Sequence, residues 1–559
     1  MMDHDAHRED IAERAAQGIL GPNPFVGISG EDIAKTLGAL GREVAQHPML
    51  LVEQQAGLAR ELITIIAGQS DAKPAEGDKR FADPAWQENP LYQRLAAGYV
   101  VWEKSLNDLI DKTTFDARTK EQARFITSLW TGALAPSNWL INPTALKRAV
   151  DTGGGSVVGG VRNMLSDLVK NGGMPSQVDK SAFKVGENLG LSPGSVVWRN
   201  DVIELIQYAA STDEVYARPT VLIPPQINKF YVFDLAPGRS LVEQLVKNGI
   251  QTFCVSWRNP TAEHRAWGLD TYVSALDEAL AAVRGICGVE DVNLMGACSG
   301  AMTQAALLAY YAASGRAALV NAATMCVAVF ESSSDTTIGL FASPQTVAAA
   351  KASSAAKGVL DGQEMGRIFA WLRPNDLVWN YWVNNYLLGN PPPVFDILYW
   401  NNDTTRLPAR FHAEVIDISV EKKFRSGFDV LGTRIDLGKV EVEKYVVAGI
   451  TDHITPWKGV YSTMRMFGGA SKMILSAAGH IQSLINPPGN KKSRYYTNEA
   501  RPDSADEWLE GASVTPGSWW DDWAGWTQER SGDKMPAPAE LGNAEHRPIV
   551  PSPGTYVFE

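Results

Sequence analysis

Residues 292–308 constrain the fold more than any other stretch. The apolar run Val292-Asn293-Leu294-Met295 ends in Gly296-Ala297-Cys298-Ser299-Gly300, and Ala301-Met302-Thr303-Gln304-Ala305-Ala306-Leu307-Leu308 follows at once. That order predicts a strand, a tight turn and a helix. Similar units surround it. Thr220-Val221-Leu222-Ile223 reads as an apolar strand closed by Pro224-Pro225, Ser240 to Lys247 as a helix, and Thr252 to Trp257 as a strand. Leu269, Tyr272, Leu276, Leu280, Val283 and Cys287 share one helix face at i, i+3/i+4 spacing. Leu319 to Phe330 supplies a further strand, and the alternation resumes at Val442 to Gly449 and Lys472 to Ser476. Strands alternating with helices predict an α/β fold: a parallel sheet covered by helices on both faces.

The two glycines around Cys298 have a steric reason, since strand and helix approach closely across so sharp a turn. In α/β-hydrolases the nucleophile stands on such a turn in a G-x-S-x-G pattern, and here a cysteine takes the serine's place. A thiol attacking a thioester conserves the high-energy acyl bond, whereas a serine ester dissipates much of it. The turn therefore points to acyl transfer from thioesters rather than simple hydrolysis. On these five residues alone, a buried core cysteine is the alternative. In the same fold the acid follows the nucleophile and the histidine comes last. Gly449-Ile450-Thr451-Asp452-His453 follows one strand and Ala478-Gly479-His480 the next, at strand C-terminal ends where ligands collect in open α/β sheets. The expected roles are Cys298 as nucleophile, its thiolate favoured by the helix N-terminus, and His480 as its base. Asp452 either orients His480 or acts as base toward an incoming hydroxyl. His453 is either auxiliary to that acid or a structural histidine. The oxyanion hole is expected from the backbone N–H of Ser299, whose side chain need do nothing, and from the loop Pro225-Gln226-Ile227-Asn228, at Ile227. No metal or cofactor enters this constellation.

Residues 1–200 read as a mainly helical N-terminal domain, with helices over Ile33 to Leu40, Leu50 to Ile66, Leu91 to Ile110 and Ala117 to Leu134. Residues 201–559 read as the catalytic domain. Within it, residues from about 331 to 440 break the alternation. They carry the aromatic runs Phe369 to Trp382 and Phe395 to Trp400, expected as an inserted cap over the site or an ordinary helical subdomain. The cluster Trp519-Trp520-Asp521-Asp522-Trp523-Ala524-Gly525-Trp526 is expected to dock on the core rather than face a partner. A net charge of −12 argues against a nucleic-acid partner. Four Cys in 559 residues form no disulfide framework and point to a reducing compartment. The start Met1-Met2-Asp3-His4-Asp5-Ala6-His7-Arg8 lacks the apolar core of a signal peptide, and no apolar run is long enough to span a membrane. A cytoplasmic location is the expectation.

Longer phrases add a resemblance. They are Pro224-Pro225-Gln226-Ile227-Asn228-Lys229-Phe230-Tyr231, Ser256-Trp257-Arg258-Asn259-Pro260-Thr261, the elbow itself, and Arg373-Pro374-Asn375-Asp376-Leu377. Asn380-Tyr381-Trp382-Val383-Asn384-Asn385-Tyr386-Leu387, Asp452-His453-Ile454-Thr455-Pro456-Trp457, Gly479-His480-Ile481-Gln482-Ser483 and Pro553-Gly554-Thr555-Tyr556-Val557 complete the set. On these the chain resembles polyhydroxyalkanoate (PHA) synthases over nearly its full length, of the single-subunit type and nearest the Pseudomonas medium-chain (class II) group. The resemblance implies an α/β-hydrolase fold with a mobile cap, preceded by a helical domain. It implies polymerisation of (R)-3-hydroxyacyl-CoA into polyester with release of CoA. Cys298 would be acylated, His480 would activate it, and Asp452 would be the base for the 3-hydroxyl of the incoming unit. It also implies a homodimer in the cytoplasm at the surface of polymer granules, in contact with the growing chain. Ala301 departs from the family, which commonly has a second glycine there. A cysteine-nucleophile thioesterase shares the same triad and remains the alternative. A non-catalytic granule-coat protein is disfavoured, because Cys298, Asp452 and His480 are all present. Met325, Ser476 and Gln482 are expected beside the triad, lining the acyl pocket.

Overall fold

The computed structural model describes residues 30–331, 343–362, 364, 366 and 374–559. Residues 1–29 of the expected N-terminal domain lie outside the described residues, as do 332–342, 363, 365 and 367–373 of the expected cap, Phe369 to Trp371 and Arg373 among them. The chain forms two compact units; the described part of the first comprises residues 30–179 and 374–394, and that of the second 180–331, 343–362, 364, 366 and 395–559.

The first unit is helical: α1 (Gly30–Gln46), α2 (Pro48–Ile66), α3 (Pro90–Asp111), α4 (Ala117–Leu134), α5 (Pro143–Asp151) and α6 (Gly155–Lys170). Its boundaries follow local chemistry. Proline opens α2, α3 and α5, where the missing N–H costs nothing. Asn89, Asp116 and Asn142 cap α3, α4 and α5 by accepting from first-turn amides. α6 packs against residues 382–390. A Cβ on Gly160 would collide with the Tyr386 carbonyl, so only glycine permits that approach. Asn163 Nδ2 donates to the carbonyls of Asn385 and Asn390, both at 2.9 Å, and the Tyr386 hydroxyl donates to Asp167 at 2.8 Å. The aromatic run from Trp379 to Tyr386, expected within the cap, thus belongs to the helical unit. Leu146 and Val150 on α5, with Val158, Val161, Leu165 and Val169 on α6, remain exposed.

The second unit is built on a 12-stranded sheet. Its strands are β1 (Gly194–Arg199), β2 (Ile203–Tyr208), β3 (Glu214–Ile223), β4 (Ile250–Trp257), β5 (Val292–Ala297), β6 (Val320–Cys326), β7 (Glu443–Gly449), β8 (Ser471–Ser476), β9 (Arg494–Thr497), β10 (Ser513–Pro516), β11 (Lys534–Pro536) and β12 (Val550–Pro551). Their spatial order is β10-β9-β8-β7-β6-β5-β3-β4-β2-β1-β12, with β11 paired to β3. From β8 through β4 the ladder is parallel, and both flanks are antiparallel. The expected parallel sheet is therefore the centre of a larger mixed one. Its connecting helices include α7 (Leu241–Lys247), α8 (Leu269–Cys287), α9 (Ser299–Ala313), α10 (Asp396–Asn402), α11 (His480–Leu484) and α12 (Trp519–Gln528). β2, β4 and β5 are buried along their whole length, as strands covered on both faces are, even at polar positions such as Glu204, Gln251 and Asn293. The compact units divide near 180 rather than near 200. The reason is Asp234, which accepts from the amide and hydroxyl of Ser192 at 2.9 and 2.5 Å and so ties the lead-in to β1 onto the sheet.

Candidate active site

The six parallel strands bring their C-terminal ends to one edge, and three loops there carry the expected triad. Cys298 joins β5 to α9 with φ 50° and ψ −121°, outside the regions open to L-residues at low cost. Such strain costs about 1–3 kcal/mol and persists only where surroundings over-determine it. They do so here. The Cys298 amide donates to the Cys326 carbonyl at 2.9 Å, and its own carbonyl accepts from Met302 at 3.2 Å. A Cβ on Gly296 would stand 2.7 Å from the Ala301 Cα, and one on Gly300 would stand 2.4 Å from the Ile223 carbonyl. Both glycines are required by close approach. Ala301 is fully buried within an unbroken α9, so its methyl group is accommodated.

His480 begins α11 and Asp452 lies just beyond β7; the side chains are 2 % and 0 % exposed. His480 Nδ1 donates to Asp452 Oδ2 at 2.7 Å. The Thr455 hydroxyl donates to the same oxygen at 2.6 Å and stands 3.1 Å from His480 Nδ1. Asp452 Oδ1 accepts the amides of Ile454 and Thr455 at 2.9 and 3.0 Å. Burial works against the charged imidazole, yet the Asp452 carboxylate and the Cys298 thiol outweigh it and raise the His480 pKa to about 10. Burial also disfavours the Asp452 carboxylate, but His480 and Thr455 overcome this and hold it below its ordinary range. With Nδ1 committed to the acid, Nε2 is left for the sulfur. Burial pushes the thiols of Cys254, Cys287 and Cys326 up, as expected for inert core cysteines.

The loop after β3 reaches the elbow through Gln226, whose amide donates to Ser299 Oγ at 3.0 Å. The Ser299 side chain, expected to do nothing, thus anchors that loop. Among the described residues none accepts a hydrogen bond from the Ile227 N–H. His453 is half-buried beside Asp452 in the chain, and the Asp452 carboxylate bonds go elsewhere. Met325 and Ser476 are buried at the ends of β6 and β8, and Gln482 is half-buried on α11. Sequence reasoning missed Thr455, although its place three residues after the acid gave a signal: Asp-x-x-Thr is a capping spacing. The Trp cluster docks on the core. The indole N–H groups of Trp519 and Trp520 donate to the carbonyls of Ser483 and Leu484, at 2.7 and 3.1 Å, closing the helix that begins with His480.

Comparison with known proteins finds relatives over nearly the whole chain. The pattern described as the N-terminus of poly-beta-hydroxybutyrate polymerase (PhaC) matches residues 77–245, and that of the alpha/beta hydrolase fold matches residues 219–487. Poly(3-hydroxyalkanoate) polymerase 1 of Ectopseudomonas oleovorans is 47% identical, over 99% of either chain. Polymerase 2 of that organism is also 47% identical, over 96% of either chain. The poly(3-hydroxyalkanoate) polymerase subunit PhaC of Cupriavidus necator is 38% identical over 88% of this chain and 84% of its own.

Proposed function

The chain belongs to the poly(3-hydroxyalkanoate) polymerase family, and from that premise we propose that it polymerises (R)-3-hydroxyacyl-CoA into polyester through an acyl group carried on Cys298. The observation that carries this mechanism is the buried Asp452–His480 pair set against a thiol on a strained elbow. His480 takes the Cys298 proton, and the thiolate attacks the thioester carbonyl. A new carbon–sulfur bond forms, the bond to CoA breaks, and the imidazolium proton leaves with the CoA sulfur. In the second half-reaction the 3-hydroxyl of another unit attacks the acyl-cysteine. Its proton passes to His480, the ester bond forms, and Cys298 is released.

Asp452 serves here as the orienting group. Both its oxygens are filled by hydrogen bonds and its basicity is lowered, which disfavours direct proton abstraction from the incoming hydroxyl. The amides of Ser299 and Ile227 receive the carbonyl oxygen as it gains charge. His453 stays auxiliary. We assign the cap role, within the sheet unit, to α10 and the residues after it, because they bond the loop at 226–229. A cytoplasmic homodimer at the polymer surface belongs to the same reading. The exposed apolar side chains of α5 and α6 favour contact with an apolar polyester. No helix among the described residues is long and apolar enough to cross a membrane.

The test is a product assay with short- and medium-chain (R)-3-hydroxyacyl-CoA, following CoA release and identifying the acyl product. Insoluble polyester, abolished in Cys298→Ala, is the expected result. Free hydroxy acid alone would make the protein a thioesterase.

A further inference from the structure

The loop carrying the second oxyanion donor is held on two sides, by contacts that the sequence does not announce. On one side Gln226 is latched to α9. Its amide donates to Ser299 Oγ at 3.0 Å, and its Nε2 donates to Thr303 Oγ1 at 2.9 Å. On the other side stands Thr405, just beyond α10. Its hydroxyl donates to the Gln226 carbonyl at 2.6 Å, and its amide donates to the Ile227 carbonyl at 3.0 Å. Gln226, Ser299, Thr303 and Thr405 are all buried.

Peptide geometry turns these contacts into an aiming device. The Gln226 carbonyl and the Ile227 N–H belong to one planar trans peptide, so they point in opposite directions. A hydroxyl that fixes the first fixes the direction of the second. The Ser299 contact holds the peptide plane before it, and the Thr405 amide holds the one after. The Ile227 N–H, like that of Asn228, is engaged by no described residue.

We infer that Thr405 and Ser299 are positioning residues that aim the Ile227 amide at the thioester oxygen, Thr405 by clamping the Gln226 carbonyl and Ser299 by clamping the Gln226 amide. The inference rests on the acyl-cysteine reading above. It adds that oxyanion stabilisation depends on a hydroxyl far from the nucleophile in sequence.

Thr405→Val removes that hydroxyl and keeps the side chain's shape. Deleting an oxyanion donor outright typically costs 10²–10³ in turnover, so misaiming one is expected to lower kcat about 10- to 100-fold with KM nearly unchanged. Thr405→Ser restores the hydroxyl and recovers most of kcat. Ser299→Ala lowers kcat in the same way. Alkylation of Cys298 by iodoacetamide stays at the wild-type rate in all three, because it needs the thiolate and no oxyanion hole. The inference fails if Thr405→Val keeps wild-type kcat, if Thr405→Ser is as impaired as valine, or if alkylation slows in step with turnover, which would mean general loosening of the site. Should the valine variant not fold, Ser299→Ala decides: wild-type kcat there overturns the inference. Failure of the underlying reading looks different, since wild-type protein would then release no CoA or would make no polymer.

Discussion

Two carboxylates at different places in the sheet unit sit in nearly the same cradle. Asp452 accepts two backbone amides, from Ile454 and Thr455, and the Thr455 hydroxyl at 2.6 Å. Glu204, on β2, accepts two backbone amides, from Thr555 and Tyr556, and the Thr555 hydroxyl, also at 2.6 Å. Both side chains are 0 % exposed. They differ in the last partner. Asp452 meets the imidazole of His480, whereas Glu204 meets the guanidinium of Arg199 at 3.5 Å. Burial and saturated hydrogen bonding therefore do not mark a reactive carboxylate. What marks it is a partner whose charge changes during a reaction; an arginine cannot change its charge, and the Glu204 cradle does structural work, holding residues 555–556 to the sheet.

Breaking the reactive cradle should have the largest effect. Asp452→Asn keeps the shape but presents an amide to His480 Nδ1, which disfavours the working tautomer. Loss of the acid in a comparable triad lowers turnover about 10⁴-fold, and a fall of at least 10³ in the rate of CoA release is expected here. A fall below tenfold would show that Asp452 is no more than a cradle.

Glu204→Gln sharpens the contrast from the other side. The new NH₂ group faces N–H and O–H donors, and the stability of the fold should drop by about 2–3 kcal/mol in urea titration. Turnover per folded molecule should stay within about twofold, as for a change away from the reacting atoms. A matching loss of kcat would tie β2 to the chemistry and dissolve the comparison.

The smallest effect is in pH dependence. The folded pKa of His480, about 10, lies above its ordinary value of 6.5. Its contribution to stability is thus complete below about 6.5 and disappears as pH rises through about 10. The urea midpoint should decline across that window in wild type, and less steeply in His480→Gln. Equal slopes would mean that the pair is not coupled to folding.

Legibility in the sequence followed periodicity and chain order. Ala117–Leu134 is a helix over the very residues its spacing predicted, and the strands around Cys298 were readable from apolar runs. The triad order was readable because the fold fixes it. The short flanking strands β10 and β12 were not, since they are largely exposed and proline-bearing and lack any alternation. Residues 374–394 fall in the stretch where the alternation breaks, and nothing in their spacing tells that Asn385 and Asn390 bind α6. The bond between Thr405 and Gln226 stayed hidden for another reason. It spans 179 residues, and threonine is too common a residue for its type alone to announce a partner.

The Trp519 and Trp520 contacts with the His480 helix bear on when the protein becomes active during its own synthesis. The nucleophile is translated long before the residues that brace its base. At about 5–20 residues per second, the stretch from Cys298 to Trp520 takes roughly 10–40 s to emerge. Through that interval the ribosome holds a thiol without its finished partner. A nascent chain that has exposed Cys298 but not yet Trp520 therefore lacks two of the hydrogen bonds that close the helix beginning with His480.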